Sequence, residues 1–210
     1  MPSAAQGRHT REQILDAAME VASVQGLAGL SIGGLAQRLG ISKSGLFRHF
    51  GAKERLQLDT VEAATVVLKR EVFDPATNAA PGLPRVAATT HAFIEYLESG
   101  VFPGGCFFAA AAADVDSRPG PVRDRVAEIA RSWIDEVAAE VVVAQRLGQL
   151  DEDIDARQLT FELHAYVQEA NWARLLLDDD GAPDRARAAI DAALSRAAST
   201  VEVTPERTEP

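Results

Sequence analysis

One cysteine, Cys106, stands in a chain of 210 residues, so neither an intrachain disulfide nor a cysteine-based zinc site can form, as suits a reducing compartment. No run approaches the roughly 18 consecutive apolar residues of a membrane span, and Met1 to Thr10 holds no apolar stretch of signal-peptide length. A cytoplasmic protein with no membrane partner is expected. Strand-like alternation of useful length and internal repeats are missing as well. So are the usual signatures of catalysis: no Gly-x-Ser-x-Gly elbow, phosphate-binding Gly-x-x-x-x-Gly-Lys loop, dinucleotide fingerprint or His-Glu-x-x-His helix occurs. The acidic run Asp151-Glu152-Asp153-Ile154-Asp155 lacks the spacing and the glycine of a calcium loop, and reads as a solvated helix start. No catalytic residue, metal or cofactor is therefore expected.

What the chain does have is ordinary globular composition, with 47% hydrophobic and 25% charged residues, enough for a sizeable core. Alanine-rich stretches such as Ala109 to Ala113, mixed elsewhere with Leu, Arg and Glu, favour helix, and an all-α fold follows. Spread evenly, the formal charge of −10 would exclude nucleic acid, but it is unevenly distributed. Through Asp59 there are seven Lys and Arg against five Asp and Glu, a net +2, which leaves −12 on the remaining 151 residues. Two units with different partners are implied, one tolerant of anions and one that repels them.

The order of helices can be read from caps and stripes. Thr10-Arg11-Glu12-Gln13 has the form of a capping box and predicts that the first helix begins there, with Ile14, Leu15, Ala18, Val21 and Ala22 on one face until Gly26. Ser31 is placed to cap a short second helix that carries Leu35, Ala36 and Leu39 and ends at Gly40. Ser42 is placed to cap a third, through Leu46, Phe47 and Phe50, which ends at Gly51. Two short helices joined by about three residues with a glycine at the bend have the spacing of a helix-turn-helix. A fourth helix is expected from Lys53 to about Phe73, closed by Asp74-Pro75. Further helices are expected at about 85–99, 105–115, 121–147, 156–178 and 183–199, between Pro- and Gly-marked breaks.

The third helix carries the chemistry. A helix that reads DNA must open with small or polar side chains, so that its amides and hydroxyls can approach bases and phosphates. Ser42, Lys43, Ser44 and Gly45 meet this need, and Lys43 adds a cation beside the open amides of the helix start. Arg48 and His49 follow near the expected groove walls, and Lys53 opens the next helix where another phosphate could dock. Taken singly, Arg38 and Arg55 are as well explained as solvated surface cations, and His49 as a histidine packed on Phe50.

The run "SIGGLAQRLGISKSGLFRHFGAKERL" and the helix-1 pattern "REQILDAAMEVASVQGL" together resemble the DNA-binding domain of the TetR family of bacterial transcriptional regulators. The resemblance spans about a quarter of the chain, from Thr10 to about Ala63. It implies an all-helical homodimer of about nine helices, most simply a repressor, that binds double-stranded operator DNA at half-sites about 34–36 Å apart and a small effector in the larger C-terminal part. The implied division is a flexible segment 1–9, a helix-turn-helix domain 10–55, an effector-binding and dimerisation domain 56–200 and a flexible tail 201–210. Carried over by position, the DNA-facing residues are Ser31, Arg38, Ser42, Lys43, Ser44, Gly45, Phe47, Arg48, His49 and Lys53. Two positions depart from the family's common pattern. Phe47 stands where Tyr is frequent, which removes a phenol. Ala52 stands where a capping residue is frequent, a loss of about 1 kcal/mol.

For the effector, expected to be an apolar or aromatic molecule, the expected wall is Phe93, Tyr96, Leu97, Phe107, Trp133 and Val137, with His164, Gln168 and Asn171 as polar groups. The bland alternative is that these aromatics simply fill the core, and a lone Cys106 is better explained as a small buried hydrophobe than as a sensor. The expected dimer surface is Leu159, Leu163, Val167, Ala170 and Arg174 on one helix, with Ala186, Ile190, Ala193 and Leu194 on the next; packing within the domain is its alternative. Two rival functions stay open: an enzyme that uses the aromatic cavity, and a protein-interaction module whose pocket has been filled.

Overall fold

The computed structural model describes residues 4–198, with side chains from residue 11 onward; residues 1–3 and the expected tail 201–210 lie outside the described residues. Nine helices make up the fold among the described residues, with no strand and one isolated bridge between Leu150 and Ala198. No helix is long and apolar enough to cross a membrane among the described residues.

Helix α1 runs Ala4–Gln25, so it starts six residues before the expected capping box and enters the segment expected to be flexible. The cause is local: residues 4–9 begin with two alanines and contain no proline, and the single Gly7 weakens a helix without ending it. Helices α2 (Ile32–Leu39) and α3 (Lys43–Phe50) form the helix-turn-helix. Each is capped as its sequence requires, with the Ser31 hydroxyl accepting from the Gly34 amide and the Ser42 hydroxyl from the Gly45 amide, both at 3.0 Å. Gly40 ends α2 in the left-handed conformation, φ 65° and ψ 26°, where a β-carbon is penalised. Helix α4 (Lys53–Leu68) begins at Ala52 with no side-chain cap.

The fourth helix does not close at Asp74-Pro75. It continues through a π turn at Lys69–Phe73 into a last turn, Asp74–Ala76, with the Asp74 amide reaching back to the Lys69 carbonyl. Pro75 lies just after the π turn, where the regular hydrogen-bond ladder is already interrupted.

The larger part holds α5 (Leu83–Ser99), α6 (Phe107–Val115), α7 (Pro121–Arg146), α8 (Ala156–Leu176) and α9 (Ala182–Ala197), within two residues of the expected bounds. Asp155 caps α8 by accepting from the amides of Arg157 and Gln158. Among the described residues no group of acidic, His or Cys side chains could hold a metal. Helix α9 packs on α8 and α5, α8 on α7, and α4 touches α1, α3 and α7. Short α6 lies between α1 and α7, so it adjoins both the N-terminal helices and the interior of the larger part.

Candidate DNA-reading face and effector cavity

The face of α3 divides cleanly by periodicity. Leu46 and Phe50, four residues apart, are buried, whereas Ser42, Lys43, Ser44, Phe47 and Arg48 are exposed. Gly45 is half-buried, and a β-carbon there would sit 3.0 Å from the Ser42 oxygen. The Lys43 side chain lies back over α2, since a β-carbon on Gly33 would come within 3.2 Å of its Cε. His49 is half-buried beside Phe50, with ring centroids 6.2 Å apart. Ser31 is exposed at the start of α2.

Ion pairs sort the cations of this part into two groups. Arg11 and Arg55 both bind Asp59, at 2.8 and 2.9 Å, which ties α1 to α4. Arg38 pairs with Glu20 of α1, so its charge is locally neutralised, unlike that of the other predicted DNA-facing cations. Lys43, Arg48 and Lys53 have no carboxylate partner among the described residues. Lys53 instead donates to the Ala28 carbonyl at 2.5 Å. Cations without a carboxylate partner at the start and end of α3 and at the start of α4 can attract phosphate along one edge.

In the larger part, α5, α6, α7 and α8 enclose a cavity of about 680 Å³, a size that holds small organic ligands. Side chains do not fill this space. Of the expected wall, Phe93, Trp133, Val137, His164, Gln168 and Asn171 line the space. Tyr96, Leu97 and Phe107 do not: all three are buried in the core behind it. The correction at Phe107 is one of phase, because Phe108, Ala109 and Ala112 turn towards the cavity while Phe107 and Ala111 point the other way. Phe108 meets Trp133 edge to face at 4.4 Å. Residues the sequence reading left out include Thr89, Thr90 and Thr160 on α5 and α8, which look like routine helix positions, and Cys106 at the start of α6. Burial pushes the Cys106 thiol up from its ordinary pKa.

The expected dimer stripe is also corrected. Leu159, Leu163, Val167 and Ala170 are buried inside the chain, as are Ala186, Ile190, Ala193 and Leu194, and Leu163 and Val167 face the cavity. The Arg174 guanidinium donates to the Leu97 carbonyl at 2.7 Å. These residues hold α8 and α9 to their own domain. The exposed stripe of α8 is the opposite one, Phe161, Trp172, Leu175 and Leu176, with Phe161 67% and Leu176 63% accessible.

A path links cavity and reading face. Asp114, on the same helix as Phe108 and Ala112, accepts the Ala28 amide at 2.6 Å, while the Ala28 carbonyl accepts from Lys53. A second contact is the Arg125–Glu62 pair between α7 and α4, at 2.5 and 3.0 Å. Phe73 in the π turn meets Phe93 and Trp133 at 6.0 and 6.2 Å between centroids.

A capped helix-turn-helix joined to a hollow helical domain defines the class of one-chain helix-turn-helix regulators. Two family models match it: "Bacterial regulatory proteins, tetR family" over residues 14–59, and "Tetracyclin repressor-like, C-terminal domain" over residues 82–190, more than half of the chain. The chain belongs to the TetR family, whose members are transcription regulators and not enzymes. The fold is similar to that of a TetR transcriptional regulator from Chloroflexus aurantiacus J-10-FL, with a TM-score of 0.85 and 22% identity over 92% of this chain and 98% of that one. It is similar also to AibR, solved with isovaleryl coenzyme A and operator DNA (TM-score 0.69, 17% identity, 89% and 96% covered), and to the ketosteroid transcriptional regulator KstR2 of Mycobacterium tuberculosis (0.65, 16%, 90% and 95%). No curated protein matches the sequence.

Proposed function

We propose that the chain is a homodimeric repressor, with a reading part at 10–55 and a sensing part at 56–200, that leaves its operator when a small apolar molecule enters the cavity. The observation that carries this reading is the position of Ala28, bonded on one side to Asp114 of the cavity-wall helix and on the other to Lys53 of the reading part. A ligand pressed against Phe108, Ala109 and Ala112 displaces α6, and with it the peptide that positions Lys53. The dimer fluctuates between spacings of its two α3 helices, and a ligand shifts that balance only through its different affinity for the two states. A relative of the same fold that holds a ligand and operator DNA supports this use of the architecture.

For dimerisation we favour the exposed stripe of α8, with Ala188 and Ala192 of α9 as small residues that permit close approach. His164, Gln168 and Trp172 lie on this stripe and also line the cavity, so assembly and ligand binding share one helix.

Selection of bound sequences from a random DNA pool tests the first step. A pseudo-palindromic site is expected, and recovery of no preferred sequence would refute operator binding. On the recovered site, a cavity ligand should release the native protein but leave Asp114→Ala largely bound. Normal release from a variant that still binds the ligand would refute the route through Ala28.

A further inference from the structure

The cavity is marked by what its wall lacks. Its ionisable lining residues are Cys106, His164 and Glu169, and none is Lys or Arg. Burial of the Cys106 thiol and partial desolvation of the His164 imidazole hold both towards their neutral forms, raising the first pKa and lowering the second. Glu169, exposed on α8, adds only negative charge. An anionic ligand would therefore lose its water without gaining a cation.

The hydrogen-bonding groups are just as selective. The hydroxyls of Thr89, Thr90 and Thr160 each donate to a carbonyl of their own helix at 2.8 to 3.0 Å, so their hydrogens are occupied. Asn171 is oriented by its neighbour: its Oδ1 accepts the Cys106 amide at 2.9 Å, which fixes the side-chain nitrogen as the free end. Gly105 makes this approach possible, since a β-carbon there would lie 2.5 Å from that oxygen. Among the described residues the Asn171 nitrogen has no partner, and Asn171 is a cavity-lining residue only 8% exposed.

We infer that the cavity selects an uncharged, largely apolar molecule carrying a hydrogen-bond acceptor such as a carbonyl, which docks on the side-chain nitrogen of Asn171, and that it rejects carboxylates and other anions of the same shape. This rests on the reading of the cavity as the effector site. A ligand of this class gives Asn171 the partner it lacks, places its rings against Phe93, Phe108 and Trp133, and asks for no countercharge.

Three probes on one frame test it: 4-acetylbiphenyl, 4-isopropylbiphenyl and biphenyl-4-carboxylate, bound to the full chain at neutral pH. Both tryptophans of the chain, Trp133 and Trp172, line the cavity, so their fluorescence reports its occupancy, and thermal shift gives an independent affinity. The ketone is expected to bind, the isopropyl compound about fivefold more weakly for the lost hydrogen bond, and the carboxylate about a hundredfold more weakly or worse. A carboxylate within about tenfold of the ketone would overturn the exclusion of anions while leaving the cavity as a ligand site. Equal binding of the ketone and the isopropyl compound would overturn the role of Asn171. If no probe altered tryptophan emission or melting, the effector-site reading and this inference would fall together.

Discussion

The two parts of the molecule use helices for opposite ends. In the reading part, α1 to α4 bury Ile14, Leu35, Leu46, Phe50 and Leu56 almost completely and turn hydroxyls and cations outward. In the sensing part, longer helices with small residues such as Ala109, Ala112 and Ala130 leave about 680 Å³ unfilled. Empty apolar space forgoes packing energy. The reading part is therefore expected to tolerate surface changes that abolish function without loss of stability, and the sensing part to gain stability from whatever occupies it.

The largest expected effect separates inner from outer faces of the sensor. Ile190 is fully buried and Leu176 is 63% exposed. Ile190→Asp should cost about 4 kcal/mol or more, because a charge is buried without a partner, and abolish cooperative unfolding in urea. Phe161→Glu with Leu176→Glu should leave the fold intact and yield monomers in sedimentation. A folded Ile190→Asp variant, or a persistent dimer in the double variant, would break the assignment of these faces.

In the reading part the expected change is in binding alone. Lys43 is exposed at the start of α3 with no ion-pair partner among the described residues. Lys43→Ala should leave melting unchanged, weaken operator affinity and reduce the slope of log K against log salt by about one for a lost phosphate contact. Arg38→Ala, which removes a charge already held by Glu20, should change that slope less. Equal slopes for the two variants would erase the distinction between free and paired cations.

These contrasts also explain what could be read from the residues alone. Ser31, Gly40 and Ser42 act within three or four residues of themselves, so caps and bend follow from local chemistry. The pairing of Arg38 with Glu20 spans 18 positions, and nothing in either segment announces it. On α8 the difficulty is different. Two apolar stripes share one helix, Leu163 and Val167 on the inside and Phe161 and Leu176 on the outside, and periodicity finds both without saying which meets the domain's own core. Phe107 and Phe108 show the same limit at finer scale, since the helical phase that turns one to the core and the other to the cavity is set by α1 and α7, which flank α6.

The smallest expected effect is a pH dependence confined to the sensor. Partial desolvation against the cavity wall lowers the His164 pKa below its ordinary value near 6.5, so the folded state favours the neutral ring more than the unfolded chain does. The unfolded state then binds more protons in the window just below that value, and stability falls as pH drops through it and is fully present above. The neutral ring is also the form that can accept the Gln168 amide at 3.2 Å. His164→Gln should therefore flatten the fall in melting temperature between about pH 7 and pH 5. The same substitution should leave the salt dependence of operator binding unchanged, because Lys43, Arg48 and Lys53 belong to the other part. An unaltered pH profile would show that the ring gives up no protonation on folding, and a changed salt slope would show that the two parts are not electrostatically separate.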